Sequence, residues 1–378
     1  MSDRSSGAGC PNHRRYKRPM ARGSELDAVV DACRATIAGE ELRLGDGALD
    51  WGRVVRLARF HRVQGLVWNA FARKRMAVPE EAAVPLAADA QAIAADNLSV
   101  AVESRDLLNA FQRAGIPVLF LKGLTLAALA YGSVSTKSSA DIDILIAESD
   151  VGHTAALLSA IGYQLTVPRL AGADAALRSW HRHHKESVWV HHARGTQIDL
   201  HTRLADNPML IPQVGMNSPS RDVEVAPAVI LPTLEEDELF AYLCVHGSSS
   251  LWFRLKWVAD FAAFIERKSG AELSRLYRRS QELGAARTSG EALLLADALF
   301  GSLEDAAELR AQLLKDRPAH RLFRAAVRQL AGRNEPREPT ATPFGTAPIH
   351  YHQFLLAPGA AYKMAEALRH ARLVLDRL

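Results

Sequence analysis

Cysteine is scarce in this chain: three in 378 residues, at Cys10, Cys33 and Cys244. Positions so far apart form neither a metal-binding motif nor a disulfide framework, and they suit a reducing cytoplasm. No run of about 18 apolar residues occurs, which excludes a membrane-spanning helix. The first residues are polar and basic without an apolar stretch, so no secretory signal is expected and the expected location is cytoplasmic. Charge of one sign is not in excess either, since 46 Lys and Arg against 42 Asp and Glu leave +4. Arg4, Arg14, Arg15, Lys17, Arg18 and Arg22 gather before residue 23, with Tyr16 as the one aromatic among them. Residues 1–23 are therefore expected to be a disordered basic tail. No basic groove is legible elsewhere, so nucleic acid is not an expected partner. There is no internal repeat and no low-complexity block.

What is present is ample apolar material, 48% of the chain, enough for a sizeable core. Residues 24–114 read as an N-terminal helical lobe. It has a helix from Ser24, a second over Trp51–Lys74 and a third over Glu80–Ala114, punctuated by Pro79 and Pro117. Residues 115–232 read as a core of strands and helices. Residues 233–378 read as a C-terminal helical lobe, interrupted by a Pro-rich loop over Arg333–Pro348.

The core carries the chemistry. Ile116-Pro117-Val118-Leu119-Phe120-Leu121 is a short apolar strand ended by Lys122-Gly123, and Leu124–Tyr131 has the residues of a helix. Gly123 allows close backbone approach to a ligand, and the helix start offers free N–H groups to phosphate. Lys122 and Lys137 can each meet a phosphate charge. Then comes Ser139-Ala140-Asp141-Ile142-Asp143-Ile144-Leu145-Ile146. On a strand Asp141 and Asp143 share one face while Ile142 and Ile144 point into the core. Two like charges on one face repel unless a cation sits between them. Hard oxygen ligands suit Mg²⁺, with Mn²⁺ as an alternative. A third acid, Asp199, lies in Thr196-Gln197-Ile198-Asp199-Leu200-His201, the second arm of a hairpin that begins near Ser187. His201 shares its face and is expected to orient a carboxylate or a nucleotide phosphate. If this strand runs beside the Asp141 strand, three carboxylates meet.

In this order the segments resemble the uncharacterised nucleotidyltransferase family of the DNA polymerase β-like superfamily. The resemblance extends to Trp51-Gly52-Arg53-Val54-Val55-Arg56-Leu57-Ala58-Arg59-Phe60-His61-Arg62-Val63 on one side. On the other it includes Leu243-Cys244-Val245-His246-Gly247, Trp252, Arg254-Leu255-Lys256-Trp257 and Asp260. It implies an α+β fold, a polymerase β-like core with an incomplete five-stranded mixed sheet and flanking helical lobes. It also implies Asp141, Asp143 and Asp199 as catalytic ligands of a two-metal site. Two departures stand out. The superfamily commonly carries Gly-Ser or Gly-Gly where this chain has Lys122-Gly123-Leu124, so the phosphate-holding serine is missing and Thr125, one turn later, is the substitute on offer. The basic residue before the acid pair is usually arginine; here it is Lys137, which lacks the planar fork.

Beyond the core, Arg254 is expected to reach the nucleotide phosphates. Asp260 is expected to brace Arg254 or Lys256, and the aromatics Trp252 and Trp257 to pack in the core. His246 reads as a capping or core histidine. His181, His183, His184, His191 and His192 crowd one region, but no cysteine joins them and their spacing fits no zinc pattern. They line the cleft or sit on the surface. Three functions compete. One is nucleotidyl transfer from a nucleoside triphosphate to a small molecule, peptide or protein hydroxyl. The second is glycosyl transfer from a sugar nucleotide to a modified peptide. The third is a non-catalytic nucleotide-binding module.

Overall fold

In a computed structural model the described residues are 24–45, 47–74, 78–139, 141–169, 174–331 and 337–375. The expected basic tail, residues 1–23, lies outside them. The architecture is mixed α+β, with a small mixed sheet among many helices. No described helix is long and apolar enough to cross a membrane.

The chain opens with α1 (Ser24–Ala38), α2 (Trp51–Phe60), α3 (Gln64–Lys74) and α4 (Glu80–Arg113). The single helix expected over Trp51–Lys74 is in fact two. No Gly or Pro interrupts Phe60-His61-Arg62-Val63, so the apolar periodicity runs through the break. Tertiary contacts make it. The Phe60 carbonyl accepts from the Arg254 guanidinium, and the His61 carbonyl accepts from the Lys256 N–H at 3.2 Å. His61 Nδ1 also accepts from the Leu255 N–H at 3.2 Å. Helix C-terminal carbonyls need partners, and these come from a distant segment. Arg62 takes a left-handed backbone, φ 55°, at the turn. For a residue with a Cβ this costs roughly 1 kcal/mol.

The sheet follows. It comprises β1 (Leu119–Phe120), β2 (Ile142–Leu145), β3 (Gln164–Val167), β4 (Glu186–His191) and β5 (Thr196–His201), in the order β1-β2-β5-β4-β3. Only two residues of the expected strand before Lys122 pair as a strand. The interleaved helices are α5 (Leu124–Tyr131), α6 (Val151–Ala160) and α7 (Asp174–His183). Strands β2 and β5 run parallel, and all other pairs are antiparallel. Ile142, Ile144, Ile198 and Leu200 are buried under the sheet, as their alternation requires. A second hairpin, β6 (Ser220–Ala226) and β7 (Val229–Leu234), was not foreseen. Its Val223, Val225 and Leu231 add to the apolar core around the main sheet.

The remaining helices are α8 (Glu236–Ser249), α9 (Leu255–Ile265), α10 (Gly270–Glu282), α11 (Thr288–Phe300), α12 (Ala307–Lys315), α13 (Arg317–Leu330), α14 (Ala347–Gln353) and α15 (Ala360–Leu375). Their apolar faces share one core with α1, α2 and α3: Val29, Cys33 and Val67 belong to the same buried cluster as Phe240, Phe261 and Leu295. Helix α1 packs on α9 and α11. The N- and C-terminal helices are thus tied to each other as well as to the sheet.

Candidate active site

Register brings the acids together. In the parallel pairing of β2 with β5, Asp143 lies directly beside Asp199. Asp141 sits two residues upstream on the same face. One carboxylate oxygen from each of the three can be chosen so that all lie within 4.8 Å of one another. They share the wall of a cavity of about 200 Å³.

The environments of the acids differ. Asp143 is buried, and its Oδ1 receives both Lys122 Nζ at 2.8 Å and His201 Nε2 at 3.0 Å. Burial alone would raise its pKa, but Lys122 and His201 outweigh burial and hold the carboxyl far below the usual range. Burial likewise opposes charge on Lys122, yet Asp143, aided by Tyr242 and Asp141, keeps the ammonium well above its ordinary value. Asp199 accepts from Gln197 at 2.9 Å and has no cation of its own among the described residues. Burial and the charges of Asp143 and Asp141 push its pKa up to about 6. The triad therefore carries uncompensated negative charge on hard oxygen donors, a set that fits a divalent cation such as Mg²⁺.

The other site residues fall as follows. Gly123 caps α5 with φ 60° and ψ −118°, a backbone open only to glycine, and lines the cavity beside the carbonyl of Asp141. Lys137 is buried, faces the cavity and pairs with Asp260 at 3.5 Å. His201 is buried, with Nδ1 3.5 Å from Glu186 Oε2, so it orients Asp143 from behind. Thr125 does not meet this cavity. Its hydroxyl is spent on the carbonyls of Lys122 (3.1 Å) and Phe120 (3.3 Å). Arg254 is also outside the cavity wall. It is buried, holds Phe60 and Glu338, and lies over the Phe60 ring at 4.7 Å. These contacts tie it to the break between α2 and α3.

Asp260 does not brace Arg254. It pairs with Lys137 and accepts from the Tyr131 hydroxyl at 2.9 Å. Trp252 is buried as expected, but Trp257 is half-buried and lines the cavity with His246. None of the five crowded histidines reaches it. His181 is bonded to Ser187 and Thr202, His184 stacks on Trp180, and His191 meets Tyr163 edge-on. His183 meets Arg372 and His192 is exposed.

Sequence reasoning missed Lys185, Glu186, Arg62 and Lys256 as cavity residues. Lys185 pairs with Glu186 at 3.3 Å at the start of β4. Glu186 sits opposite His201 in register, which the hairpin pattern could have shown. Nothing local marks Arg62 or Lys256.

Asn97, on α4, organises the approach to the acids. It is fully buried. Its amide nitrogen donates to the carbonyls of Val134 and Lys137, the latter at 2.6 Å, and its carbonyl accepts from the Ser139 N–H at 3.2 Å. Gly65 on α3 closes the other side, where an added Cβ would lie 2.3 Å from the Thr136 carbonyl oxygen.

No curated protein matches the chain. Residues 47–301, from just before α2 to the end of α11, match the model of a family described as an uncharacterised nucleotidyltransferase. The match spans most of the chain and includes Asp141, Asp143 and Asp199, and the chain belongs to the uncharacterised nucleotidyltransferase family.

Proposed function

We propose that this protein transfers a nucleoside monophosphate from a nucleoside triphosphate to a hydroxyl of a small molecule, peptide or protein. The observation that carries this reading is the convergence of Asp141, Asp143 and Asp199 on one cavity wall. These three would hold Mg²⁺, or Mn²⁺ in its place. When bound, the cation neutralises phosphate charge and acidifies the attacking hydroxyl.

The chain's own groups do the rest. His201 and Lys122 fix Asp143 in one orientation. Asp199 takes the acceptor proton as the acceptor oxygen bonds to the α-phosphorus. The bond from that phosphorus to the bridging oxygen breaks, and pyrophosphate leaves. Gly123 lets the phosphate chain approach the backbone, and Lys137 steadies it. Placing the reacting atoms in line supplies much of the rate.

A sugar-nucleotide donor is the second reading. The observation favouring it is the Thr125 hydroxyl, which is committed to backbone carbonyls and leaves no hydroxyl for a phosphate at that position. The experiment is a screen of nucleoside triphosphates and sugar nucleotides with Mg²⁺, reading pyrophosphate and nucleoside diphosphate separately. Pyrophosphate release that disappears in Asp143→Asn supports nucleotidyl transfer. Nucleoside diphosphate release alone replaces it with the second reading, and turnover unchanged in Asp143→Asn removes the triad from the chemistry.

A further inference from the structure

We infer that the turn between α2 and α3 and the first turn of α9 form a subsite for the polyphosphate tail of the donor, with Arg62 and Lys256 as its cations. The inference rests on the nucleotidyl-transfer reading and narrows the donor to a triphosphate rather than a sugar diphosphate.

Charge pairing within the cavity carries it. Lys122 is matched by Asp143 at 2.8 Å, Lys185 by Glu186 at 3.3 Å and Lys137 by Asp260 at 3.5 Å. Two acids are left over, Asp141 and Asp199, both on the triad wall. Two cations are also left over, Arg62 and Lys256, neither in a salt bridge with any described residue. The surplus is thus split within one cavity, acids on the sheet and cations on the helix ends. A triphosphate carrying a divalent cation has the matching split: a metal for the acids and a phosphate tail for the cations. A sugar diphosphate lacks the γ-phosphate and has its β-phosphate esterified to the sugar, so it offers these cations less charge. An arginine beside a lysine suits it, a planar fork beside a compact point charge.

The fold invests in this placement. Arg62 and Lys256 are far apart in sequence, yet the residues beside them are bonded. The His61 carbonyl and ring accept from the N–H groups of Lys256 and Leu255, and Arg254 reaches the Phe60 carbonyl. Arg62 sits in a left-handed conformation that glycine would adopt at lower cost. Burial and the charge of Lys137 push the Lys256 ammonium down to about 8 against the pull of Asp260 and Asp141, as befits a cation crowded by other cations.

The test uses the full chain, Mg²⁺ and inorganic tripolyphosphate as the probe in calorimetric titration. Arg62→Gly suits the left-handed turn and Lys256→Met keeps the length of the stem, so both variants should fold, as circular dichroism will check. Each is expected to weaken tripolyphosphate binding about tenfold, the worth of one charged hydrogen bond. In turnover, each should raise KM for the nucleoside triphosphate with kcat largely kept. Wild-type affinity in both variants, or no tripolyphosphate binding by the wild type, overturns the subsite. Tripolyphosphate binding that falls in the variants without pyrophosphate release from any triphosphate keeps the subsite and removes nucleotidyl transfer. Pyrophosphate release with unchanged KM in both variants does the reverse.

Discussion

Replacing Asn97 with alanine tests how the loop before the acids is held. The side chain is fully buried and makes three hydrogen bonds to the backbone, at Val134, Lys137 and Ser139. It uses both amide N–H donors and its carbonyl, and alanine offers none. A net intramolecular hydrogen bond is worth about 1 kcal/mol, and a buried group left unpaired costs more. Asn97→Ala should therefore lower stability by about 3 kcal/mol. For a chain this long the entropy of unfolding converts that into a Tm drop of roughly 4 °C. Asn97→Asp should be at least as damaging, because it sets a carboxyl oxygen against two carbonyl oxygens. Differential scanning calorimetry reads the stability. Hydrogen exchange reads the Ser139 amide, whose protection should fall ahead of that of the strands. The same loop carries Lys137, so tripolyphosphate binding should weaken as well. A Tm drop below about 1 °C with Ser139 still protected would refute the reasoning and leave the Lys137–Asp260 pair and the Gly65 contact as what holds the loop.

Gly65→Ala should destabilise by about 1–3 kcal/mol, because the added methyl group meets backbone at Thr136 rather than a movable side chain; a denaturant midpoint equal to wild type would show that α3 can shift freely. The pH dependence of tripolyphosphate affinity should follow Lys256. An anion favours the charged ammonium, so binding raises the pKa from about 8. Affinity should then be full below that pH and fall as pH rises through it, by up to tenfold per unit until the bound-state pKa is reached. Lys256→Met should abolish the fall. An affinity that rises above pH 8, or a fall that survives in Lys256→Met, would count against this.

Much of the site could be read along the chain. A period-two pattern forces Asp141 and Asp143 onto one face and Ile142 and Ile144 onto the other, whatever surrounds them. The same pattern puts Asp199 and His201 together, and the hairpin signals around Gly195 place them on a strand. The register that sets Asp143 beside Asp199 is not local, since β2 and β5 pair across more than fifty residues. Arg254 and Thr125, expected at the phosphates, do not line this cavity. The Thr125 hydroxyl turns back onto the carbonyls of its own neighbourhood, whereas Arg254 is held by Phe60 and Glu338, far away in sequence, which only the folded chain presents.

The sequence by itself determined the class of fold, the three acids and the family, because alternation and ordered motifs are local properties. Tertiary structure alone decided where the long helical stretch breaks. No residue between Phe60 and Val63 ends a helix by its own chemistry; the carbonyls there are drawn off by the start of α9. That exchange of hydrogen bonds brings Arg62 and Lys256 to the cavity, and no pattern within either segment could reveal it.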